Sequence, residues 1–122
     1  MTDNFSKNVA EIVIEAMEEK KSENIVILDI ATVSSIADYF IIASGNSKAQ
    51  IQAICDEIDL KLSAENVYRK QMEGYENASW VLMDYGDVII HVFDKQSREY
   101  YDLERIWRDG KKLTPDELRK SS

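Results

Sequence analysis

The chain of 122 residues holds one cysteine, one proline, four glycines and one histidine. A lone Cys55 excludes an internal disulfide, and with His91 as the single histidine no Cys/His set has metal-ligand spacing. So little proline and glycine, beside 44% hydrophobic and 31% charged residues, excludes a collagen-like or low-complexity disordered chain. No apolar run approaches the roughly 18 residues that cross a bilayer. The opening Met1-Thr2-Asp3-Asn4 lacks the basic start of an export signal. Positive charge is scarce as well: 15 Lys and Arg against 23 Asp and Glu leave a net charge of −8. That balance disfavours a phosphate backbone as primary partner; a basic protein, or no charged partner at all, fits better. The expectation is one compact domain in a reducing cytoplasm.

What is present reads as alternating helices and strands. From Phe5 to Lys21 the residues Phe5, Val9, Ile12, Val13, Ala16 and Met17 recur at helical spacing. Glu11, Glu15, Glu18 and Glu19 take the other positions, most simply a solvated face. Ile25 to Ile30 is a short β-branched run, predicted as a central strand covered on both faces. Tyr39 to Ala43 predicts a second buried strand, closed by Ser44-Gly45-Asn46. Ser47 and Gln50 have the spacing of a capping box. They open a helix to about Ala64 with Ile51, Ile54, Cys55, Ile58 and Leu62 on one stripe.

Val67 to Gln71 is predicted as a short strand. Trp80 to Met83 and Val88 to Phe93 form a hairpin around Asp84-Tyr85-Gly86-Asp87. Ser97 is the predicted cap of a last helix to about Trp107, with Tyr100, Leu103, Glu104 and Trp107 on its packing side. Thr114-Pro115-Asp116-Glu117 resembles another helix start, but residues 108–122 read as a polar tail outside a domain spanning 1–107. The order predicts an α/β fold, a mixed sheet of about five strands with helices packed on it.

A two- or four-residue hairpin loop opposes Met83 to Val88, Leu82 to Ile89 and Trp80 to His91. One face then carries Val81, Met83, Val88, Ile90 and Val92, an aliphatic core surface. The other carries Trp80, Leu82, Ile89, His91 and Phe93. Two readings of this second face stand: a partner surface with an aromatic centre, or a surface covered by another helix. Tyr101 either joins an exposed aromatic site or is a scattered surface aromatic.

Catalytic readings are weak. Any Ser-His-Asp or Cys-His site needs His91, whose place in mid-strand beside Trp80 favours packing. Cys55 lies on an apolar stripe, where a thiol behaves as a small hydrophobe. Gly45-Asn46-Ser47 is a strand-to-helix junction that can offer N–H groups to a phosphate, but it is more simply a capped helix. No Asp-X-Asp pair falls on a predicted strand to hold Mg²⁺, so a metal-dependent nucleotidyltransferase stands only as the competing reading, with the Gly45–Ser47 turn and a carboxylate pair from distant segments.

Three segments occur in order: Ala37-Asp38-Tyr39-Phe40-Ile41-Ile42-Ala43-Ser44-Gly45-Asn46-Ser47, then WVLMDYGDVIIHVFD from Trp80, then Ser97-Arg98-Glu99-Tyr100-Tyr101-Asp102-Leu103-Glu104-Arg105-Ile106-Trp107. Together they closely resemble the ribosomal silencing factor family, also called Iojap-like, from the first helix to Trp107. The resemblance implies a fold similar to nucleotidyltransferases without their catalytic carboxylates, no cofactor and no catalysis. It further implies binding to large-subunit ribosomal protein number fourteen, and the net charge of −8 predicts little direct rRNA contact. That binding blocks joining of the small subunit and lowers translation when nutrients are scarce; some organellar relatives act in large-subunit assembly. Carried onto this chain, the binding residues are Trp80 and Tyr101, with Leu82, Ile89 and His91 from the hairpin face and Asp87 as an acidic rim. A homodimer of the free protein through the same apolar face is the accompanying expectation.

Overall fold

A computed structural model of the chain describes residues 4–120. The elements in order are α1 (Asn4–Glu19), β1 (Glu23–Asp29), β2 (Tyr39–Gly45), α2 (Lys48–Ala64), β3 (Gln71–Glu73), β4 (Trp80–Asp84), β5 (Val88–Asp94), α3 (Lys95–Tyr101), α4 (Leu103–Ile106), β6 (Lys111–Leu113) and α5 (Pro115–Lys120). Six strands form one sheet in the order β3-β4-β5-β2-β1-β6. Only β2 and β5 run parallel, joined by a crossover that contains α2; the other pairs are antiparallel. No helix among the described residues is long and apolar enough to cross a membrane.

The predicted mixed α/β sheet is present, with one strand more than expected. The additional strand comes from the predicted tail. Leu113 in β6 pairs with Ile27, and Leu118 in α5 is fully buried in the main core. Thr114 and Glu117 form a reciprocal capping box: the Thr114 N–H donates to Glu117 Oε1 at 2.8 Å and the Glu117 N–H to Thr114 Oγ1 at 3.1 Å. Two isolated leucines carry too little periodicity to mark a strand and a helix, which is why the segment reads as polar. Its addition makes β1 second from the edge rather than central, and β2 is the strand buried along most of its length.

One face of the sheet is sealed by α1, α2 and α5. Val13, Ile14 and Met17 meet Ile54, Ile58 and Leu62 over Ile41, Ile90 and Val92, all fully buried. Each such side chain contributes about 1.5–3 kcal/mol on leaving water. Cys55 belongs to this layer, and burial pushes its thiol up to about 12, so it packs rather than reacts. Phe5 is off the predicted stripe of α1, 61% exposed. At the end of α1, Lys21 adopts φ +61°, with Ser22 N–H bonding Met17 O and Lys21 N–H bonding Glu18 O, a Schellman closure.

The Gly45–Ser47 junction is committed to structure. Ser47 Oγ accepts the Gln50 N–H, and Gln50 Oε1 accepts the Asn46 N–H at 2.6 Å. Gln50 Nε2 reaches across to the carbonyls of Lys20 and Lys21, satisfying the end of α1. The short strand predicted at Val67–Gln71 is instead β3, Gln71–Glu73. Its place is set by Gly74, which turns the chain at φ +83° beside the Trp80 carbonyl.

Candidate docking face

The second face of the sheet is built on the hairpin of β4 and β5. Gly86, at φ +90°, supplies the left-handed residue of the turn, and its N–H is held by Asp84 Oδ1 at 2.8 Å. The register pairs Trp80 with Phe93, Leu82 with His91 and Asp84 with Ile89. This is two residues from the expected pairing. A shift of two preserves the face of every side chain, because the pleat repeats every two residues. The aliphatic set therefore lies in the sealed core, and Trp80, Leu82, Ile89, His91 and Phe93 share the opposite face.

That face is partly covered. The predicted single helix from Ser97 to Trp107 is broken into α3 and α4 at Asp102, which takes φ +49° and ψ +55°. Asp94, not Ser97, caps α3, its Oδ1 accepting the Ser97 N–H at 2.7 Å. The break folds the segment back over β2 and β5. Trp107 meets Phe40 edge-on with centroids 5.1 Å apart, and Tyr101 lies 4.4 Å from Trp80. Tyr100, expected on the packing side, is 81% exposed because the break turns it outward against the edge of Tyr101.

The elbow is held by Arg98. Its Nε and Nη2 donate to the two carboxylate oxygens of Glu104 at 3.3 Å, and Nη1 donates to the buried Ser44 Oγ at 3.0 Å. This fork ties α3, α4 and β2 together, a bidentate geometry that lysine does not reproduce. Sequence reading missed it, since a spacing of six on an unbroken helix puts the two residues on different sides.

An aromatic row results, running Trp107, Phe40, His91, Trp80, Tyr101 and Tyr100, with neighbouring centroids 4.4–6.0 Å apart. Trp80 Nε1–H donates to His91 Nδ1 at 3.0 Å, which fixes both rings and leaves the neutral His91 proton on Nε2. Nε2 is buried without a hydrogen-bond partner among the described residues. Burial drives the imidazole pKa down to about 4, so the ring is neutral near pH 7.

The six sequence-predicted residues divide accordingly. Trp80, Leu82 and Ile89 are half-buried on one continuous surface, and Tyr101 closes its edge at 42% exposure. His91 is buried beneath them, so it supports the surface rather than presenting itself. Asp87 is exposed but lies at the turn, with roughly the length of β5, on the order of 20 Å, between it and the Trp80–Phe93 pair. Its backbone carbonyl accepts the N–H groups of Asp38 and Tyr39, so its structural work is to close the end of β2. The acid beside the aromatics is Glu73, opposite Leu82 on the same face. Among the described residues, no group of three His, Cys, Asp or Glu side chains is arranged to hold a metal.

Comparison with known proteins agrees with this architecture. Residues 3–122 match the family described as "Ribosomal silencing factor during starvation", so the matched region includes β6 and α5. The ribosomal silencing factor RsfS of Bacillus subtilis is 45% identical over 104 residues, covering 85% of this chain and 88% of its own. That of Halalkalibacterium halodurans is 42% identical over 105 residues, covering 86% and 90%. A Chromobacterium violaceum crystal structure superposes with a TM-score of 0.82 at 35% identity, covering 88% of this chain and 89% of that one. The chain belongs to the ribosomal silencing factor family.

Proposed function

We propose that the protein binds the large ribosomal subunit through its basic protein number fourteen, using the open part of the aromatic face, and sterically prevents the small subunit from joining. The observation that carries this reading is the half-exposed surface of Trp80, Leu82, Ile89 and Tyr101, fixed from beneath by His91 and Phe93. Rigid aromatics around a leucine and an isoleucine form the kind of centre from which interfaces draw most of their energy. The net charge of −8 supports a basic protein as the contact and speaks against bare rRNA. Family membership supports the ribosome as the target.

Inhibition on this reading is occupancy, with no covalent step. The single histidine serves the packing of Trp80 and the single cysteine lies in the core. Lower translation under nutrient limitation follows from fewer joined ribosomes. The test is co-sedimentation with separated large subunits, small subunits and joined ribosomes, with small subunits added last. Binding to large subunits alone, with fewer joined ribosomes, is the expected result. Binding with unchanged joining shifts the reading to large-subunit assembly, and no binding to any particle rejects it.

A further inference from the structure

We propose that the recess beside Trp80 is a socket for one lysine or arginine side chain of the basic protein partner. This deepens the docking reading above and rests on it. The recess has a volume of about 220 Å³ and is lined by Glu73, Gly74, Trp80 and Leu82. Its place follows from register and from a close backbone approach at Gly74. Glu73 pairs with Leu82 across the antiparallel β3–β4 ladder, so both project on the aromatic face. Gly74 then carries the backbone so close to the next strand that a Cβ there would stand 2.2 Å from the Trp80 carbonyl oxygen. Only glycine permits this approach, which brings the backbone at Gly74 against the start of β4 beside the recess.

The lining has two chemical parts, an indole and a leucine for walls and a carboxylate at the rim. Glu18, Glu19, Glu23 and Glu104 are each engaged by a lysine or arginine of the same chain. Among the described residues no cation pairs with Glu73; its polar neighbour is the Gln71 amide, which donates to it. An apolar side chain entering here would take water from the carboxylate without replacing it. A lysine or arginine lays its methylenes along Trp80 and Leu82 and brings its charge to Glu73. A partner acid is excluded by Glu73 itself and by the net charge of −8.

The test measures binding to purified large ribosomal subunits across a salt series, for wild type, Glu73→Gln, Glu73→Lys, Trp80→Ala and Glu65→Gln. Glu73 is exposed at the sheet edge, so its variants are expected to unfold like wild type, checked by circular dichroism. Glu65→Gln removes the same charge from the end of α2, away from the recess. Glu73→Gln is expected to weaken binding about tenfold at low salt and to flatten its salt dependence, and Glu73→Lys to weaken it about a hundredfold or more. Glu65→Gln is expected to bind like wild type. Glu73 variants with wild-type affinity and salt slope, alongside a Trp80→Ala that binds about thirtyfold more weakly, overturn the socket and leave the docking face standing. Failure of wild type to bind large subunits overturns both.

Discussion

The two faces of one sheet treat apolar side chains in opposite ways. Under α1, α2 and α5, Ile41, Ile90 and Val92 are removed from water completely. On the other face burial falls off along the sheet, from Ile42 and Phe93 under the α3–α4 elbow to Trp80, Leu82 and Ile89, which stay half in water. The same residue types therefore serve stability on one side and remain available on the other. A contiguous, partly exposed aromatic surface costs solubility, and in the function proposed above it is the surface that meets the partner. The elbow reaches Phe40 through Trp107 and Trp80 through Tyr101.

Breaking the sealed face is expected to cost most. Ile41→Ala should lower unfolding free energy by about 2–5 kcal/mol, read by urea denaturation, while the molecules still folded bind large subunits normally. Equal loss of binding by the folded fraction would erase the distinction between the faces.

Beneath the open face, His91 makes stability depend on pH. Its folded pKa of about 4 lies below the ordinary value of 6.5, so the native state favours the neutral ring. The contribution is whole above about pH 6.5 and is lost as pH falls from 6.5 towards 4, on the order of 3 kcal/mol in all. His91→Phe should flatten the stability profile in that window relative to wild type. An unchanged slope would mean that the imidazole is not buried in its neutral form.

On the open surface, Trp80→Ala should weaken large-subunit binding by roughly 2 kcal/mol, about thirtyfold, in a protein that still folds. Wild-type affinity in that variant would remove Trp80 from the interface. The smallest effect belongs to the elbow. Arg98→Lys keeps the charge but not the fork, and should cost about 1 kcal/mol of stability while shifting Trp fluorescence as Tyr101 loosens from Trp80.

Much of this asymmetry was legible in the sequence, for a physical reason. Strict alternation in β4 and β5 assigns faces independently of the loop, so Val81 and Trp80 fell on the correct sides although the pairing was two residues off. The α2 stripe, from Ile51 to Leu62, is buried as its spacing requires, and Ser47 caps it as predicted. The cover was not legible. A left-handed Asp102 leaves no mark in a helical pattern, so Tyr100 was assigned to packing and the Arg98–Glu104 fork went unseen. The length of β5 that separates Asp87 from the aromatics is not conveyed by closeness in sequence, and Glu73 carries no local signal of its place opposite Leu82 because β3 is fixed by a tertiary contact at Gly74. Local pattern reports faces; it does not report where a broken helix lies down.

The most direct test of the central claim is hydrogen–deuterium exchange of the protein free and bound to purified large ribosomal subunits. Binding is predicted to slow exchange in residues 72–83 and 98–102, leaving α1 and α2 unchanged. Protection confined to α1 and α2, with none around Trp80 and Tyr101, would contradict the assignment of the open aromatic face to docking.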